Sequence, residues 1–154
     1  PGWDTTKNLE IWTNGFKVPA YDGQNLLELN AHPATNSGSF TVYQDFATTK
    51  DAVYEVSFYA RKRTRQQEHF KVSVGDLTQY ITTHVFGSWT GFSYQFTALS
   101  DMSKLSFMSL DGPRDTTGNL IDYVAVHQVP EPGTLAMFLT GLLGLAAIRR
   151  RKHA

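Results

Sequence analysis

Short stretches of alternating apolar and polar side chains recur through residues 1–129, and none of them shows the period of a helix. The clearest is Ala52–Ala60, where every second residue from Tyr54 to Ala60 is apolar or aromatic and would lie on one face of a strand. The pattern predicts nine strands: Leu9–Thr13, Asn25–Asn30, Phe40–Phe46, Ala52–Ala60, His69–Val74, Gln79–His84, Gly91–Thr97, Leu105–Leu110 and Leu120–Val126. In the last strand, strict alternation would place two sets of side chains on opposite faces, namely Ile121, Tyr123 and Ala125 against Leu120, Asp122, Val124 and Val126.

Residues that favour turns separate these strands. They are Asp22-Gly23, Asn36-Ser37-Gly38, Gly75-Asp76, Asp111-Gly112-Pro113 and Gly118-Asn119. Many short strands joined by such turns are typical of an antiparallel β-sandwich or jelly roll, and an aromatic content of 13% also favours sheet. The chain begins at Pro1 without Met or a signal peptide, so we expect a leader and one or two edge strands upstream of it.

The C-terminal end has a different character. Residues 133–148 contain no charged side chain and would form a helix of roughly 24 Å at about 1.5 Å per residue, short for a hydrocarbon core of about 30 Å. The basic run Arg149-Arg150-Arg151-Lys152 follows directly and would stay in the cytoplasm, which places the rest of the chain outside it. A buried core helix and an unprocessed tail anchor are the alternatives to a processed membrane helix.

The residues before this helix are Val129-Pro130-Glu131-Pro132-Gly133. Two prolines around one residue cannot continue a strand or a helix interior, and they keep the backbone extended and exposed. A processing enzyme needs an extended, exposed peptide, so we predict a cleavage site near this motif.

The order of motif, Leu/Gly-rich helix and Arg cluster resembles the PEP-CTERM sorting signal of Gram-negative bacteria. The resemblance divides the chain into residues 1–128 and a signal at 129–154, with its motif at 129–133, transmembrane helix at 134–148 and basic tail at 149–154. It implies that an exosortase cuts near the motif while the protein is transiently in the inner membrane. The body would then reach the cell surface or extracellular matrix, in connection with exopolysaccharide and biofilm.

The body resembles exported galactose-binding-like jelly-roll domains. The matching residues are Gly2-Trp3, Thr5-Thr6, Leu9-Glu10-Ile11-Trp12, Asp22-Gly23, Leu27-Glu28-Leu29-Asn30, Val42-Tyr43-Gln44, Tyr54–Arg61 and Leu120-Ile121-Asp122-Tyr123-Val124. The opening strand of such domains, with its Asn-Gly-x-Phe-Glu type motif, is absent here, which agrees with an N-terminal truncation. The resemblance implies either carbohydrate binding or a purely structural module.

Several residues near the predicted strand ends suit a sugar, because an aromatic face covers C–H bonds while polar groups bond hydroxyls. The candidate ligand-binding residues are Trp3, Glu10, Trp12, Glu28, Asn30 and Arg61. The alternative is that both tryptophans are core residues and that Arg61 pairs with a buried Glu10 or Glu28.

Composition narrows the remaining chemistry. The absence of cysteine excludes disulfides and thiolate sites. Residues 1–129 carry ten Lys/Arg and thirteen Asp/Glu, a net charge of −3, so nucleic acid is not an expected partner. The basic run 61–65 would contact an anionic polysaccharide or form an ordinary solvated loop.

Metal and catalytic signals are sparse. Asp111 and Asp122, in a group of oxygen-bearing residues, are candidate ligands of a structural Ca²⁺, although EF-hand spacing is absent. No other cofactor is expected, and no nucleophile elbow or phosphate-binding loop occurs. A glycoside hydrolase would need two opposed carboxylates, which Glu10, Glu28 and Asp122 could supply in principle. We therefore predict a non-catalytic surface or matrix protein that would bind carbohydrate, with a secreted glycan hydrolase or a purely structural matrix module as alternatives.

Overall fold

The computed structural model describes residues 2–6, 10–13, 18–29, 40–110 and 118–130. In these ranges the chain forms ten strands. They are β1 (Asp4–Thr5), β2 (Glu10–Thr13), β3 (Asn25–Glu28), β4 (Thr41–Ala47), β5 (Val53–Lys62), β6 (Phe70–Val74), β7 (Leu77–Ile81), β8 (Thr90–Thr97), β9 (Met102–Ser109) and β10 (Asn119–Gln128).

The strands form two five-stranded antiparallel sheets. Sheet A has the order β1-β4-β9-β6-β7, and sheet B has the order β2-β3-β10-β5-β8. The inner faces of the two sheets share one apolar core, to which every strand from β3 to β10 contributes a buried side chain. The chain is therefore a β-sandwich, which confirms the predicted fold of the body.

Strand β5 shows how the sequence produces this core. Its alternating residues Tyr54, Val56, Phe58 and Ala60 are all buried on the inner face, as their spacing predicts. Phe58 is fully buried, and its ring lies 5.2 to 6.4 Å, centroid to centroid, from four other aromatic rings of the core. Edge-to-face and offset contacts of this kind contribute about 0.5–1.5 kcal/mol each beyond the apolar area they bury.

All nine predicted strands are present, with ends that differ by up to three residues. The strand β1 was not predicted, because two residues are too few to show alternation. Among the described residues, no helix has the length and apolar character that a membrane span requires. The predicted transmembrane helix at 134–148 lies outside the described residues.

The face assignment in β10 was wrong beyond Asp122. The register against β5 shifts between Asp122, opposite Tyr59, and Ala125, opposite Ser57, so β10 carries one extra residue. Tyr123 lies in this bulge with a φ of 49°, a left-handed conformation that costs roughly 1–2 kcal/mol for a non-glycine residue. The bulge turns Tyr123 outward and returns Val124 and Val126 to the core.

A second, smaller apolar cluster covers part of the outer face of sheet B. It consists of Trp12, Val18, Leu26 and Leu120, with Ala20 and Trp89 packed against it. Val18 and Ala20 belong to the segment that crosses this face between β2 and β3. The cluster therefore fixes residues 18–24 against the sheet.

Two glycines with nearly equal φ provide a matched test of the packing between the sheets. Gly75 (φ +54) and Gly23 (φ +61) are equally strained by a side chain, but a Cβ on Gly75 would lie 2.3 Å from the carbonyl oxygen of Thr97. A Cβ on Gly23 meets nothing within 4 Å. The turn at Gly75 therefore has no room beside the end of β8.

We expect Gly23→Ala to lower the free energy of unfolding by about 1–2 kcal/mol, through backbone strain alone. Gly75→Ala should lower it by about 1–3 kcal/mol more, because the added methyl group overpacks against a backbone atom. Urea denaturation of both variants measures the difference. Equal losses in the two variants would contradict the close approach of the turn to β8.

Candidate functional site

Four aromatic side chains meet on the outer face of sheet B, and we call them the aromatic patch: Tyr21, Tyr59, Trp89 and Tyr123. Tyr21 stacks on Tyr59 with ring centroids 3.5 Å apart and an interplanar angle of 16°. Tyr123 meets both rings edge-on, at 5.8 Å from Tyr21 and 6.1 Å from Tyr59. Trp89 lies 6.4 Å from Tyr21 in a similar edge-on arrangement. The four rings form one continuous group.

Each ring is held by a different part of the chain. Tyr59 projects from β5, Tyr123 from the β10 bulge, and Trp89 from the residue before β8. The Tyr21 segment is fixed by Asp122, whose Oδ2 accepts hydrogen bonds from the backbone N–H groups of Tyr21 at 2.6 Å and Asp22 at 3.2 Å. Asp122 thus couples the crossing segment to the bulge.

Two further contacts shape the patch. Trp89 Nε1 donates a hydrogen bond to the carbonyl oxygen of Pro19 at 3.3 Å, which ties the indole to the crossing segment. Gly91 lies opposite Tyr59 in β8, and a Cβ there would come within 3.1 Å of the Tyr59 ring. A glycine at this position lets the Tyr59 ring lie down over β8.

The patch is accessible to solvent. Tyr123 is 51% exposed and Tyr21 is 43% exposed, whereas Tyr59 and Trp89 are half-buried. The hydrogen bond with Tyr59 raises the pKa of Tyr21 above its ordinary value, so the Tyr21 phenol remains a neutral donor near pH 7. Chemically, the patch offers apolar ring faces with hydroxyl groups beside them.

The structure places the predicted residues Trp12 and Glu10 in a packed position. Trp12 is only 2% exposed, its Nε1 donates to Glu10 Oε1 at 3.0 Å, and the guanidinium of Arg63 lies 4.8 Å from the ring centre. At this exposure the indole is packed within the protein itself, which leaves no platform for a ligand.

Glu28 is fully buried, and its partner is Arg63 rather than the predicted Arg61. Arg63 Nη1 donates to both carboxylate oxygens, at 3.0 and 3.3 Å, and the N–H of Gly118 donates at 2.8 Å. Leu120 of β10 lies between Glu28 and Arg61 in the register of the sheet, so an apolar side chain separates them. Burial raises the pKa of Glu28 to about 7, against the opposing effect of Arg63.

The other predicted residues lie apart from one another. Trp3 is half-buried, with its ring centroid 5.8 Å from that of Phe107. It also lines an open cleft of about 280 Å³ together with Ile11, Asn25, Asp122 and Tyr123. Asn30 lies outside the described residues. Among the predicted ligand-binding residues that the structure describes, Trp3, Glu10 and Arg61 retain some accessible surface.

The calcium hypothesis concerns Asp111, which lies outside the described residues, and Asp122. Both oxygens of Asp122 accept backbone hydrogen bonds, including one from the Tyr123 N–H to Oδ1 at 2.7 Å. In the part of the chain that the structure describes, three or more acidic or histidine side chains do not come together as a metal site. A Ca²⁺ site at Asp111 and Asp122 stays a prediction.

The last backbone contact of the sandwich is made by Val129, the first residue of the predicted sorting motif. The N–H of Val129 donates to the carbonyl oxygen of Val53 at 2.8 Å, and Pro130 is exposed. The remaining motif residues Glu131 and Pro132 and the basic residues Arg149, Arg150, Arg151 and Lys152 lie outside the described ranges. The last backbone contact of the fold is thus one residue before Pro130.

Comparison with protein families gives two adjacent matches. Residues 1–127 match the model of DUF642, described as a protein of unknown function. This chain belongs to the DUF642 family. Residues 128–152 match the PEP-CTERM protein-sorting motif, which agrees with the resemblance in the sequence. The DUF642 chain therefore carries a sorting signal that implies export.

Among curated proteins, Protein TEEBE of Arabidopsis thaliana is 29% identical over 138 residues, which cover 84% of this chain. The match takes up 35% of TEEBE, so the chain spans about a third of the length of this relative.

Solved carbohydrate-binding modules share the fold. The CBM22-1 xylan-binding domain of Paenibacillus barcinonensis Xyn10C aligns with a TM-score of 0.58 and 17% identity, covering 84% of this chain and 87% of that one. TmCBM61, solved with β-1,4-galactotriose, aligns with a TM-score of 0.58 and 14% identity, covering 83% and 88%. The CBM22-1–GH10 modules of Clostridium thermocellum Xyn10B align at 0.57 and 17%, covering 84% of this chain but 26% of that one. At these identities the likeness shows the fold alone.

The sequence analysis missed all four residues of the aromatic patch. The alternation in β5 placed Tyr59 on the face opposite Phe58, which is the outer face in the structure, but a single tyrosine on that face does not indicate a site. Tyr123 was assigned to the wrong face, since alternation cannot reveal a bulge. Tyr21 beside the Asp22-Gly23 turn and Trp89 before β8 come close to Tyr59 only through the sheet pairing.

The buried carboxyl group of Glu28 gives a prediction of pH dependence. Because its folded-state pKa of about 7 lies above the ordinary 4.5, the unfolded chain ionises first and stability falls as pH rises from about 4.5 to 7. Across this pH range the wild type should lose on the order of 3 kcal/mol in free energy of unfolding relative to Glu28→Gln. Urea denaturation of both proteins at several pH values measures it. A wild-type chain that gains stability over the variant across this window would show that Arg63 keeps the carboxylate ionised.

Proposed function

We propose that this DUF642 chain is an exported, non-catalytic carbohydrate-binding protein, and that the aromatic patch is its glycan-binding surface. The sorting signal and the carbohydrate-binding-module fold support an exported, glycan-binding role. Sugars present C–H groups on one face and hydroxyls at the edges, and an exposed group of tyrosine and tryptophan rings complements both.

The observation that carries the proposal is the conformation of Tyr123. A non-glycine residue with φ of 49° inside a ten-residue strand is strained, and strain of this kind concentrates where a side chain has to be directed for function. The bulge directs Tyr123 into solvent, next to Tyr21 and Tyr59, instead of into the core.

Solved structures with the same fold support the same function. One is a xylan-binding domain, and another was solved with a bound galactotriose. Because their sequence identity to this chain is low, their ligands do not identify the ligand of this protein. The kind of glycan has to be inferred from the residues of this chain.

For the C-terminal signal, we propose that a helix at 134–148 holds the protein in the inner membrane with its basic tail in the cytoplasm. An exosortase then cuts near Pro130-Glu131-Pro132 and releases the sandwich to the cell surface or matrix, where it contacts exopolysaccharide. The exposed Pro130, directly after the last backbone bond of the fold, supports an accessible motif.

The position of the patch suits a protein that is tethered at its C-terminal end. Tyr123 and Val129 are six residues apart in β10 and the residue after it, which corresponds to roughly 20 Å along an extended strand. The aromatic patch therefore lies well away from the point at which the chain leaves the fold. A glycan could bind before or after the protein is released.

The three carboxylates that were candidates for a glycan hydrolase do not favour that activity. Glu28 is buried against Arg63, and Asp122 is bonded to three backbone N–H groups. Glu10 accepts a hydrogen bond from Trp12. A catalytic acid and base must reach a substrate, and these three groups serve the fold instead.

Replacing a patch ring should weaken glycan binding. Tyr59→Ala and Tyr123→Ala should each raise the dissociation constant for a glycan found on an array by about tenfold or more, as expected when an aromatic contact of about 1.4 kcal/mol is lost. Isothermal titration calorimetry measures the change. Tyr80→Ala is the control, because Tyr80 is 63% exposed on β7 of the other sheet. A similar loss in Tyr80→Ala, or unchanged binding in both patch variants, would refute the assignment.

The sorting proposal predicts the mass of the mature protein. In the native host, the surface form should end near the 130–132 motif and lack Arg149 to Lys152, because the basic tail stays with the membrane helix. Mass spectrometry of the surface fraction measures the C-terminus. A Pro130→Ala/Pro132→Ala double variant should remain full-length in the membrane. An intact C-terminus on the wild-type surface protein would disprove processing.

A further inference from the structure

A cationic side chain, Arg61, borders the aromatic patch. The inner-face residues of β5 end with Ala60, so Arg61 projects from the outer face, two residues and roughly 7 Å from Tyr59. Its neighbour in β10 is Leu120 of the outer apolar cluster. Ala60 pairs with Thr90, so Arg61 and Trp89 each lie directly beyond the last residue pair of β5 and β8. Trp89 also packs against the cluster that contains Leu120. Arg61 therefore lies near both Tyr59 and Trp89.

Within the described residues, Arg61 has no acidic partner. Glu28, the nearest carboxylate in its row of the sheet, lies beyond Leu120 at roughly 10 Å and is bound to Arg63. Asp122 uses its two oxygens for the backbone N–H groups of Tyr21, Asp22 and Tyr123. The Arg61 Nε is buried without a hydrogen-bond partner. A half-buried guanidinium without a counter-ion attracts an anion more strongly than a fully solvated one does.

We infer that the glycan bound at the aromatic patch is an acidic one, and that Arg61 binds the carboxylate of a uronic acid residue in it. The inference rests on the proposed glycan-binding function of the patch. A planar guanidinium bonds a carboxylate with two parallel hydrogen bonds, and a pyranose ring stacked on Trp89 would carry its carboxylate at the ring edge, toward Arg61.

The neighbouring basic residues do not have the same placement. Arg63 is bound to Glu28 and lies over Trp12, and Arg65 lies with its guanidinium 5.1 Å from the ring centre of Phe86. Both follow the end of β5 instead of pointing from its outer face beside Tyr59. Arg65 is thus a matched control, since its removal changes the net charge equally without touching the patch.

Calorimetry with the purified 154-residue chain tests the inference. The probes are tetragalacturonic acid and the same tetrasaccharide with its carboxyl groups methyl-esterified, which differ in charge and not in ring structure. The wild type should bind the acid about tenfold more tightly than the ester. Arg61→Gln should bind the two equally, Arg61→Lys should keep part of the preference, and Arg65→Gln should keep it fully.

The outcomes separate this inference from the proposed function. Equal affinity of the wild type for acid and ester, with loss of both in Tyr59→Ala, would overturn the role of Arg61 and leave the aromatic patch as a neutral glycan site. If Arg65→Gln loses the preference for the acid as fully as Arg61→Gln does, the preference comes from the overall charge of the protein, which also overturns the inference. Binding of neither probe would contradict both proposals for this class of glycan. Thermal unfolding of each variant confirms that it is folded.

Discussion

One extra residue in β10 allows this strand to complete the core and to present a tyrosine ring to solvent. Ile121 and Val124 pack inward on either side of the bulge, while Tyr123 turns outward with a φ of 49°. The left-handed conformation costs roughly 1–2 kcal/mol. The contacts of Tyr123 with the Tyr21 and Tyr59 rings, at about 0.5–1.5 kcal/mol each, are of the same size and offset that cost.

The bulge is also where the crossing segment is attached. Asp122, the residue before the bulge, accepts hydrogen bonds from the backbone N–H groups of Tyr21 and Asp22. These bonds hold the crossing segment over the sheet, where it covers the outer apolar cluster. Removing the bulge would therefore shift the Tyr123 ring directly and release the segment that carries Tyr21. The aromatic patch is a property of the sheet pairing and the crossing segment together, in a fold whose core does not depend on it.

The Glu28–Arg63 ion pair and the nearby Arg61 have different roles on sheet B. Glu28 and Arg63 satisfy each other beside Trp12, so they order the N-terminal part of the sheet and hold no free charge for a ligand. Arg61, two residues before Arg63 in the chain, is left near the rings with a buried Nε. Leu120 produces this division, because it separates Arg61 from Glu28 and leaves Arg63 as the partner that reaches the carboxylate.

The sequence by itself determined the β-sandwich, the inner face of β5 and the sorting signal, since alternation, turn residues and a contiguous motif are local properties of the chain. The partner of Glu28 and the membership of the aromatic patch were decided only by the tertiary structure. Tyr21 is 102 residues before Tyr123, and they meet because β3 and β5 both pair with β10. A one-residue bulge reverses the face of a side chain without changing the local composition, so no pattern of apolar and polar positions could have revealed it.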